Sequence, residues 1–550
     1  MPAPALPPGA AGNRALGVHL NKNIPRALYR AEQVRRLDEL AIAALGLSEF
    51  ELMRRAGAAA FSHLRQRWPG VRDLLIFTGG GNNGGDGFVI GALAAASGLR
   101  VRIVCLTPPE KLVGAAAEAR EMAAAKPLAM CSFAEFQASL ADDPNGCFDL
   151  IVDAIFGTGL NRPAAGDSRA AIEWMNARAA PVLAVDVPSG LHADSGTPLG
   201  AAVRAEATVS FVGMKRGLLT HLGPDHAGEI VFADLDAPAD VYHGGDSPEV
   251  ETRRIDIHSA SRLLPRRRPS AHKGSNGHVL LLGGDHGMGG AIMLAAEAAL
   301  RCGAGLVSVA TRSAHRSPLL CRRPEIMVAG TEDGRVDLPG LFDRASNIVI
   351  GPGLGRGDWA RNLLRAVLAA QTTRRLPLIV DADALRLLAG REPEPELEHG
   401  ETVLPRDDWI LTPHPGEAAA MLGVSTGEIQ RDRFAALAAL QRRFGGHCLL
   451  KGAGSLIRGP ARPPRFKLCT EGNPGMGSGG MGDVLSGIIA GLNAQGLSLA
   501  DSLECAVCVH GEAADLAARE GGERGLAAAD LLPFVRRLVN PRPSEIGARV

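Results

Sequence analysis

The chain has 550 residues, which is long for one domain, so two or more domains are expected. Its formal net charge is zero and its aromatic content only 4%. This combination disfavours a nucleic-acid partner, which would need basic stripes and stacking rings. No run of 18 apolar residues indicates a membrane span.

The N-terminal segment and the cysteines point to an ordinary intracellular protein. Residues 1–24 are rich in Ala, Pro and Gly and lack the apolar core of a secretory signal, so we predict a disordered tail. The nine cysteines are expected to fill small buried positions, with neither a zinc site nor a disulfide framework. A reducing, cytoplasmic setting is the default expectation.

Short β-rich runs alternate with Ala/Leu-rich helical segments along nearly the whole chain. In the first half, strands are predicted at 74–79, 101–106, 149–157, 181–190, 207–213 and 229–235. In the second half, they are predicted at 277–284, 305–311, 347–353, 377–385, 409–417 and 447–455. Continuous apolar runs separated by helices are typical of parallel sheets covered on both faces.

A segment rich in Pro, Gly and charge (237–254) interrupts this alternation. We therefore predict one α/β domain over 25–240, a linker over 241–254 and a second α/β domain over 255–540. Nearly every predicted strand ends in a Gly, Asp or His cluster. Ligands of open α/β sheets bind beyond the carboxyl ends of the strands, so functional residues are expected there.

The first predicted strand leads into the loop GGGNNGGDG (79–87), and an apolar helix follows. Such a loop lets backbone N–H groups approach an anion at a helix N-terminus. Gly79, Gly81 and Gly84 match the spacing of a dinucleotide-binding fingerprint, but the next strand runs into Thr-Pro-Pro instead of ending in an acid. An ordinary hydride-transfer site is therefore disfavoured.

Three further strand ends in this half carry oxygen ligands. Asn83, Asp153 and Ser189 offer an amide, a carboxylate and a hydroxyl oxygen, a set suited to a hard cation. Each of them could instead be a turn residue or a helix cap. Asp186 is expected near the same sheet edge, where it could donate or accept a proton.

The second half has its own glycine-dense loop, GNPGMGSGGMGDVLSG (472–487), with Asp483 at the start of an apolar helix. Backbone amides there would stabilise phosphate charge, and the carboxylate could act as a general base for phosphoryl transfer. The alternative is that Asp483 only caps the helix. A second glycine turn follows a strand at 451–455, where a plain turn is an equally good interpretation. His414 lies between two prolines, and ligand contact and a structural role are evenly balanced. No Walker P-loop sequence occurs.

As an ordered set, residues 27–42, 79–89, 153–160 and 184–196 resemble the NAD(P)H-hydrate epimerase domain over about 25–240. This resemblance implies a Rossmann-like three-layer domain that binds a damaged nicotinamide nucleotide. It implies K⁺ bound by Asn83, Asp153 and Ser189, and a catalytic role for Asp186. The substrate site that it implies consists of Asn82, Asn83, Gly84, Gly85, Asp86, Gly157, Thr158, Gly159, Leu160, Asn161, Arg162, Pro163 and Asp186.

Residues 272–305, 351–355, 381–385, 411–417 and 473–491 resemble the NAD(P)H-hydrate dehydratase domain, of ribokinase-like α/β fold. This resemblance implies an ADP- and Mg²⁺-dependent dehydration in which the nucleotide phosphorylates the ring hydroxyl and phosphate then leaves. Asp483 would be catalytic. The implied hydrate contacts are Ala291, Gly353, His414 and Asp483, and the implied nucleotide contacts are Lys451, Gly452, Ala453, Gly454, Ser455 and Gly482.

Together the two resemblances predict one repair pathway. A chiral dehydratase pocket can use only the S epimer of the hydrate, and a fused epimerase lets the R epimer reach it as well. The expected partners are NADHX, NADPHX and ADP, without nucleic acid or membrane, and a homo-oligomer is left open. One alternative is a ribokinase-like small-molecule kinase with an accessory Rossmann-like domain, which an ADP-against-ATP assay would separate. Another is a binding module that has lost catalysis, which the joint presence of the cation and acid residues disfavours.

Overall fold

The protein is described from a computed structural model that covers residues 24–142, 148–332, 337–390, 406–463 and 465–540. The predicted tail (1–24) lies outside these residues except for Ile24, which is buried. In the described part of the chain, no helix has the length and apolar character needed to cross a membrane.

The strands and helices alternate along the chain as expected for α/β domains. The strands are β1 (Ala27–Leu28), β2 (Asp73–Thr78), β3 (Arg100–Cys105), β4 (Ala129–Ser132), β5 (Leu150–Ala154), β6 (Val182–Val185), β7 (Ala207–Phe211), β8 (Glu229–Ala233), β9 (Thr252–Ile255), β10 (His278–Leu282), β11 (Leu306–Thr311), β12 (Met327–Gly330), β13 (Asn347–Ile350), β14 (Leu378–Val380), β15 (Arg406–Leu411), β16 (Gly445–Leu450), β17 (Ser455–Arg458) and β18 (Phe466–Cys469). The helices are α1 (Ala31–Leu45), α2 (Glu49–Arg67), α3 (Asn82–Ala96), α4 (Gly114–Ala124), α5 (Phe133–Asp142), α6 (Gly166–Asn176), α7 (Gly223–Ala227), α8 (Asp240–His243), α9 (Ile257–Ser261), α10 (Gly289–Cys302), α11 (Arg316–Arg322), α12 (Leu338–Arg344), α13 (Asp358–Arg374), α14 (Ala382–Ala389), α15 (Pro415–Leu422), α16 (Thr426–Arg431), α17 (Arg433–Phe444), α18 (Met481–Ala494), α19 (Leu499–Gly521) and α20 (Leu532–Leu538).

The first sheet has seven parallel strands in the order β4-β3-β2-β5-β6-β7-β8. From β2 the chain first adds β3 and β4 on one side and then adds β5 to β8 on the other, so the switch point lies between β2 and β5. Ligands of doubly wound sheets bind at such a switch point. Along β2, Leu74 and Ile76 pack into one apolar core and Leu75 and Phe77 into another. Because both faces are covered, the strands are continuous apolar runs, as the sequence predicts.

The second sheet has eleven strands in the order β1-β9-β18-β17-β16-β15-β14-β13-β10-β11-β12. The strands from β16 to β12 are parallel to their neighbours, whereas β17 pairs antiparallel with both β16 and β18. Its switch point lies between β10 and β13. Along β10, Leu280 and Leu282 face one core, and Val279 and Leu281 face the other.

The predicted boundary between the domains needs correction. The sequence places a linker at 241–254, but Thr252–Ile255 form β9, a strand of the second sheet that pairs in parallel with β18. Strand β1, which was predicted to belong to the first domain, pairs antiparallel with β9. Both strands are too short to give an apolar run. The linker was therefore predicted from the Pro, Gly and charge content of the segment alone.

The two domains share a packed interface. Ile24, Leu28 and Leu218 belong to the same apolar core as strand β10 of the second sheet. His221 N donates a hydrogen bond to the carbonyl of Ala453 (3.1 Å). The chain is therefore one body with two sheets, and a continuous apolar core joins them.

Candidate active sites

The first candidate site lies at the carboxyl edge of the first sheet, where the loop after β2 enters α3. Two of its glycines are required by close backbone packing. A Cβ on Gly79 would lie 2.0 Å from the carbonyl oxygen of Ile155, and one on Gly84 would lie 2.1 Å from that of Gly79. A Cβ on Gly81, in contrast, would meet nothing within 4 Å, so there is open space beside this residue.

Asp153 and Ser189 meet at the end of β5. Ser189 N donates to Asp153 Oδ2 (2.7 Å), and Ser189 Oγ donates to Oδ1 (2.5 Å). Phe156 N in turn donates to Ser189 Oγ (2.8 Å). Both side chains are fully buried. Burial raises the pKa of Asp153 to about 6, although its hydrogen bonds act in the opposite direction.

Asn83 is buried in the first turn of α3, and neither its Oδ1 nor its Nδ2 has a hydrogen-bond partner among the described residues. A buried amide without partners costs roughly 1–3 kcal/mol, so the side chain is set up for a ligand. A Cβ on Gly157 would lie 3.4 Å from both Asn83 Cβ and Asp186 Oδ2. The loop after β5 therefore runs between Asn83 and Ser189, and its Gly157 separates Asn83 from Asp186.

Asp186 pairs with a buried cation that the sequence analysis missed. Its backbone has a positive φ of 66°, and its carboxylate contacts the ammonium group of Lys215, whose side chain is 1% exposed. Lys215 Nζ also donates to the carbonyl of Phe211 (2.8 Å). The lysine follows β7 in a glycine-containing loop, and that position at a strand end was the signal available in the sequence.

Two more acids share this charged cluster. Burial raises the pKa of Asp86 well above its usual range, and the neighbouring Asp186 and Asp38 raise it further. Burial also raises the pKa of Asp38 to about 7, while Lys215 acts in the opposite direction. Asp38 lies on the amphipathic helix α1, where no sequence feature distinguishes it from a surface acid.

The other predicted contacts of the first site differ in exposure. Gly84 and Gly85 are buried, and a Cβ on Gly85 would lie 2.3 Å from Met53 Sδ, so these two glycines serve helix packing. Asn82 is exposed, and the predicted segment 158–163 continues as a loop whose last three residues are exposed. Substrate contact by these residues stays a prediction.

The second candidate site centres on Asp381, which follows β14 and is 1% exposed. Its oxygens accept hydrogen bonds from Lys451 Nζ (2.9 Å), Thr412 Oγ1 (2.8 Å) and Ser486 Oγ (2.7 Å). Burial alone would raise the pKa of Asp381, but Lys451 and the other hydrogen bonds hold it below its usual value. The sequence analysis used residues 381–385 only as part of a family resemblance and assigned Asp381 no role.

Asp483 lies in the first turn of α18, beside this network. Burial raises the pKa of Asp483 to about 7, Asp381 raises it further, and Lys451 acts in the opposite direction. The N-cap of α18 is Gly480, and no side chain caps this helix end. A Cβ on Gly482 would lie 3.2 Å from Lys451 Nζ. The structure therefore brings Asp483, Gly482 and Lys451 together, and the helix-cap interpretation of Asp483 finds no support.

His414 caps a helix. Its Nδ1 accepts hydrogen bonds from Gly416 N (3.0 Å) and Glu417 N (3.4 Å) at the start of α15. Its Nε2 lies 3.3 Å from a carboxylate oxygen of Glu417. Burial lowers the pKa of His414, and Lys451 lowers it further. The structural role is thus observed, and contact of its half-exposed ring with the hydrate stays a prediction.

Ala291 and Gly353 meet at the switch point of the second sheet. A Cβ on Gly353 would lie 3.0 Å from Ala291 Cβ, and Gly353 has a positive φ of 57°. Helix α10, which carries Ala291, packs against α18, since a Cβ on Gly480 would lie 2.6 Å from Leu294 Cδ1. An open cavity of about 600 Å³ adjoins the glycine loop and is lined by residues 474, 475, 477–479 and 523–527.

The turn at 452–454, predicted to bind nucleotide, contacts the first domain. The carbonyl of Ala453 accepts a hydrogen bond from His221 N, and a Cβ on Gly454 would lie 2.2 Å from the carbonyl oxygen of Leu219. Gly452 and Ala453 nonetheless remain exposed. Nucleotide contact by residues 452–455 stays a prediction, and of the segment 451–455 only Lys451 belongs to the observed network.

Two α/β sheets, each with an acid–lysine pair beside a glycine loop at its carboxyl edge, define a two-domain enzyme with two separate active sites. Residues 49–217 match the family model described as "YjeF-related protein N-terminus". Residues 279–536 match the model described as "NAD(P)H-hydrate dehydratase".

Full-length relatives are also similar to this chain. The bifunctional NAD(P)H-hydrate repair enzyme of Coxiella burnetii is 45% identical over 94% of this chain and 99% of its own length. The enzyme of the same description from Escherichia coli is 42% identical over 95% of this chain and 96% of its own. The crystal structure of the ADP/ATP-dependent NAD(P)H-hydrate dehydratase of Bacillus subtilis with ATP/Mg²⁺ is 29% identical, with a TM-score of 0.44, and covers 51% of this chain and 95% of its own.

This chain belongs to the family of bifunctional NAD(P)H-hydrate repair enzymes. Its two fold classes, Rossmann-like and ribokinase-like, are those that the sequence predicted.

Proposed function

We propose that this protein repairs hydrated nicotinamide nucleotides. The first domain interconverts the R and S epimers of NADHX and NADPHX. The second domain dehydrates the S epimer to NADH or NADPH with ADP, releasing AMP and phosphate. One observation carries the proposal: each of the two family segments contains its own acid–lysine pair, with one partner almost fully buried, at the carboxyl edge of its sheet.

At the first site, Asp186 is the proposed proton-transfer residue. Lys215 holds its carboxylate in place, and Gly157 leaves the space beside Oδ2 free of side-chain atoms. Burial and the neighbouring Asp186 raise the pKa of Asp86 and so favour its neutral form, which could donate a hydrogen bond to the substrate. Exclusion of water by these buried groups would protect the reacting ring.

The residues of the first site fit a K⁺ ion. Asn83 has an amide oxygen without a partner, and no lysine or arginine among the described residues pairs with the buried Asp153. We propose that Asn83, Asp153 and Ser189 hold K⁺, whose charge would neutralise the carboxylate and order the loop after β5.

At the second site, Asp483 is the proposed general base. With a pKa of about 7, its carboxylate can take the proton of the hydrate hydroxyl as this oxygen attacks the β-phosphate of ADP. The amides of the glycine loop and the Lys451 ammonium stabilise the charge that develops on the transferring group. Ala291, Gly353 and His414 would contact the hydrate, and Lys451 to Ser455 and Gly482 the nucleotide. We propose that Mg²⁺ enters with ADP, held mainly by phosphate oxygens.

The decisive experiment incubates separated R and S hydrates with the full chain, K⁺ and Mg²⁺, with and without ADP. Without ADP, we expect each epimer to convert into the other faster than in an enzyme-free blank. When ADP is added, both epimers should yield reduced nicotinamide. AMP and phosphate should form in equal amounts. Transfer of phosphate from ATP to a stable sugar or vitamin product, with no hydrate consumed, would favour a kinase instead. We further propose that the enzyme works in the cytoplasm on small-molecule substrates only.

A further inference from the structure

A group of three metal-ligand side chains lies outside both active sites. Cys469 ends β18, Glu471 follows two residues later, and Cys508 projects from α19. Cys469 and Cys508 are buried and Glu471 is half-buried. All three ligand atoms lie within 4.8 Å of one another. Among the residues that the structure describes, no other group of three His, Cys, Asp or Glu side chains has this property.

The distances within the group fit a tetrahedral metal centre. The two sulfur atoms are 3.9 Å apart, and Cys469 Sγ lies 3.6 Å from Glu471 Oε2. A tetrahedral Zn²⁺ ion with Zn–S bonds of ~2.3 Å and Zn–O bonds of ~2.1 Å requires edges of ~3.8 Å and ~3.6 Å. Two of the three edges therefore match a tetrahedral centre, and the third, from Cys508 Sγ to Glu471, is no longer than 4.8 Å.

The electrostatic environment also favours a cation. Two further acids, Glu512 and Asp256, lie near Glu471. These two acids are themselves paired, Glu512 with Arg519 and Asp256 with Arg26. The group thus collects acidic ligands with no positive side chain of its own.

The sequence analysis expected no zinc site among the cysteines and overlooked the spacing Cys505-Ala-Val-Cys508 in α19. That spacing alone would be misleading, because only Cys508 of this pair joins the group. The other two ligands come from the end of a strand that lies 39 residues earlier in the chain than Cys508.

We propose that Cys469, Glu471 and Cys508 bind a thiophilic divalent cation of the Zn²⁺ type. Binding forms two metal–sulfur bonds and one metal–oxygen bond, releases the protons of both thiols and of the carboxyl group to solvent, and leaves the fourth tetrahedral position to water. Because Gly472, the first residue of the glycine loop, directly follows Glu471, the bound ion would link the start of this loop to α19.

The test uses the full chain, reduced and stripped of metal with a chelator. Zn²⁺ is titrated against a chromogenic chelator, and Co²⁺ is added separately so that thiolate-to-cobalt charge-transfer absorption can be recorded. We expect one tight site, a thiolate band and a higher melting temperature with Zn²⁺. Cys448→Ser is the matched control, because this buried thiol donates only to the carbonyl of Gly445. It should bind like the parent chain.

Two variants probe the ligands. Cys469→Ser combined with Cys508→Ser should abolish the tight site and the thiolate band. Glu471→Gln should weaken Zn²⁺ binding at least about tenfold while keeping the fold, because the amide oxygen can still accept the hydrogen bond from Ile257 N. The absence of a thiolate band in the parent chain, or unchanged affinity in folded Glu471→Gln, would show that the group is only a set of hydrogen-bonded thiols.

Discussion

Replacing Asp483 with Asn separates catalysis from stability at the second site. The amide keeps the shape of the side chain and removes the proposed base. Loss of a positioned general base typically lowers a rate ~10²–10⁴-fold, so we expect ADP-dependent dehydration of the S hydrate to fall by that factor. ADP affinity should change little, because Lys451 remains in its network with Asp381 and Glu417.

The unfolding free energy of this variant should stay the same or rise, although its dehydration rate falls. The pKa of Asp483 lies at about 7 in the folded chain against 3.8 for a free carboxyl group. A carboxyl group whose folded pKa is raised favours folding in its protonated form, so its ionisation weakens the fold as pH rises from about 4 to 7. At ~1.4 kcal/mol for each pKa unit, this penalty is at most about 4 kcal/mol at pH 8. Asp483→Asn removes it.

The assay measures single-turnover dehydration by absorbance of the reduced nicotinamide, together with denaturant unfolding at pH 8, on one preparation. We expect a large loss of rate with unchanged or increased unfolding free energy. Near-normal turnover would remove Asp483 from the mechanism. A marked loss of stability at pH 8 would show that the carboxylate is stabilised in the folded chain, contrary to the electrostatics of the site.

Three further predictions address the remaining features. Below pH 7, the dehydration rate of the parent chain should fall about tenfold for each pH unit, because Asp483 must be unprotonated to accept a proton. A dehydration rate that stays constant between pH 5 and 7 would contradict this. Asp153→Asn should lower epimerisation and remove its K⁺ dependence while dehydration of pure S hydrate stays nearly unchanged, measured by chromatography of the epimers; equal loss of both activities would contradict the assignment. Gly454→Ala should lower the unfolding free energy by roughly 1–3 kcal/mol, because φ of Gly454 is +63° and the new Cβ would lie 2.2 Å from the carbonyl oxygen of Leu219. The control is Gly70→Ala, where a Cβ meets nothing within 4 Å. Equal melting temperatures of the two variants would refute the strained contact.

The sequence predicted most of the parallel strands of the two sheets. All twelve predicted runs contain a strand, and most of these strands are continuous apolar segments buried on both faces, although the edge strand β8 is only partly buried. Strands β1, β4, β9 and β12 were missed because they are two to four residues long and lie at or near sheet edges. Strands β17 and β18 were missed because an antiparallel hairpin does not continue the α/β alternation.

The candidate sites were predictable where one motif carries the residue, and unpredictable where distant segments converge. Asn83, Asp153 and Asp483 lie at the ends of recognisable strands and loops. Lys215 and Asp38 became functional candidates only because the fold places them against Asp186 and Asp86. The glycines of the first loop were interpreted as room for phosphates, but Gly79 and Gly84 are instead required by backbone packing.

The position of β1 bears on how the two activities can be separated. Because β1 lies at the start of the predicted first domain but pairs with β9 in the second sheet, a cut at the predicted linker would separate this edge strand from the rest of its sheet. The same cut would expose the apolar core that Leu218 shares with β10. Loss of activity in an isolated domain could therefore result from misfolding as readily as from the absence of the catalytic residues. Point variants of the full chain, which keep this interface, are the sound way to assign each reaction to its domain.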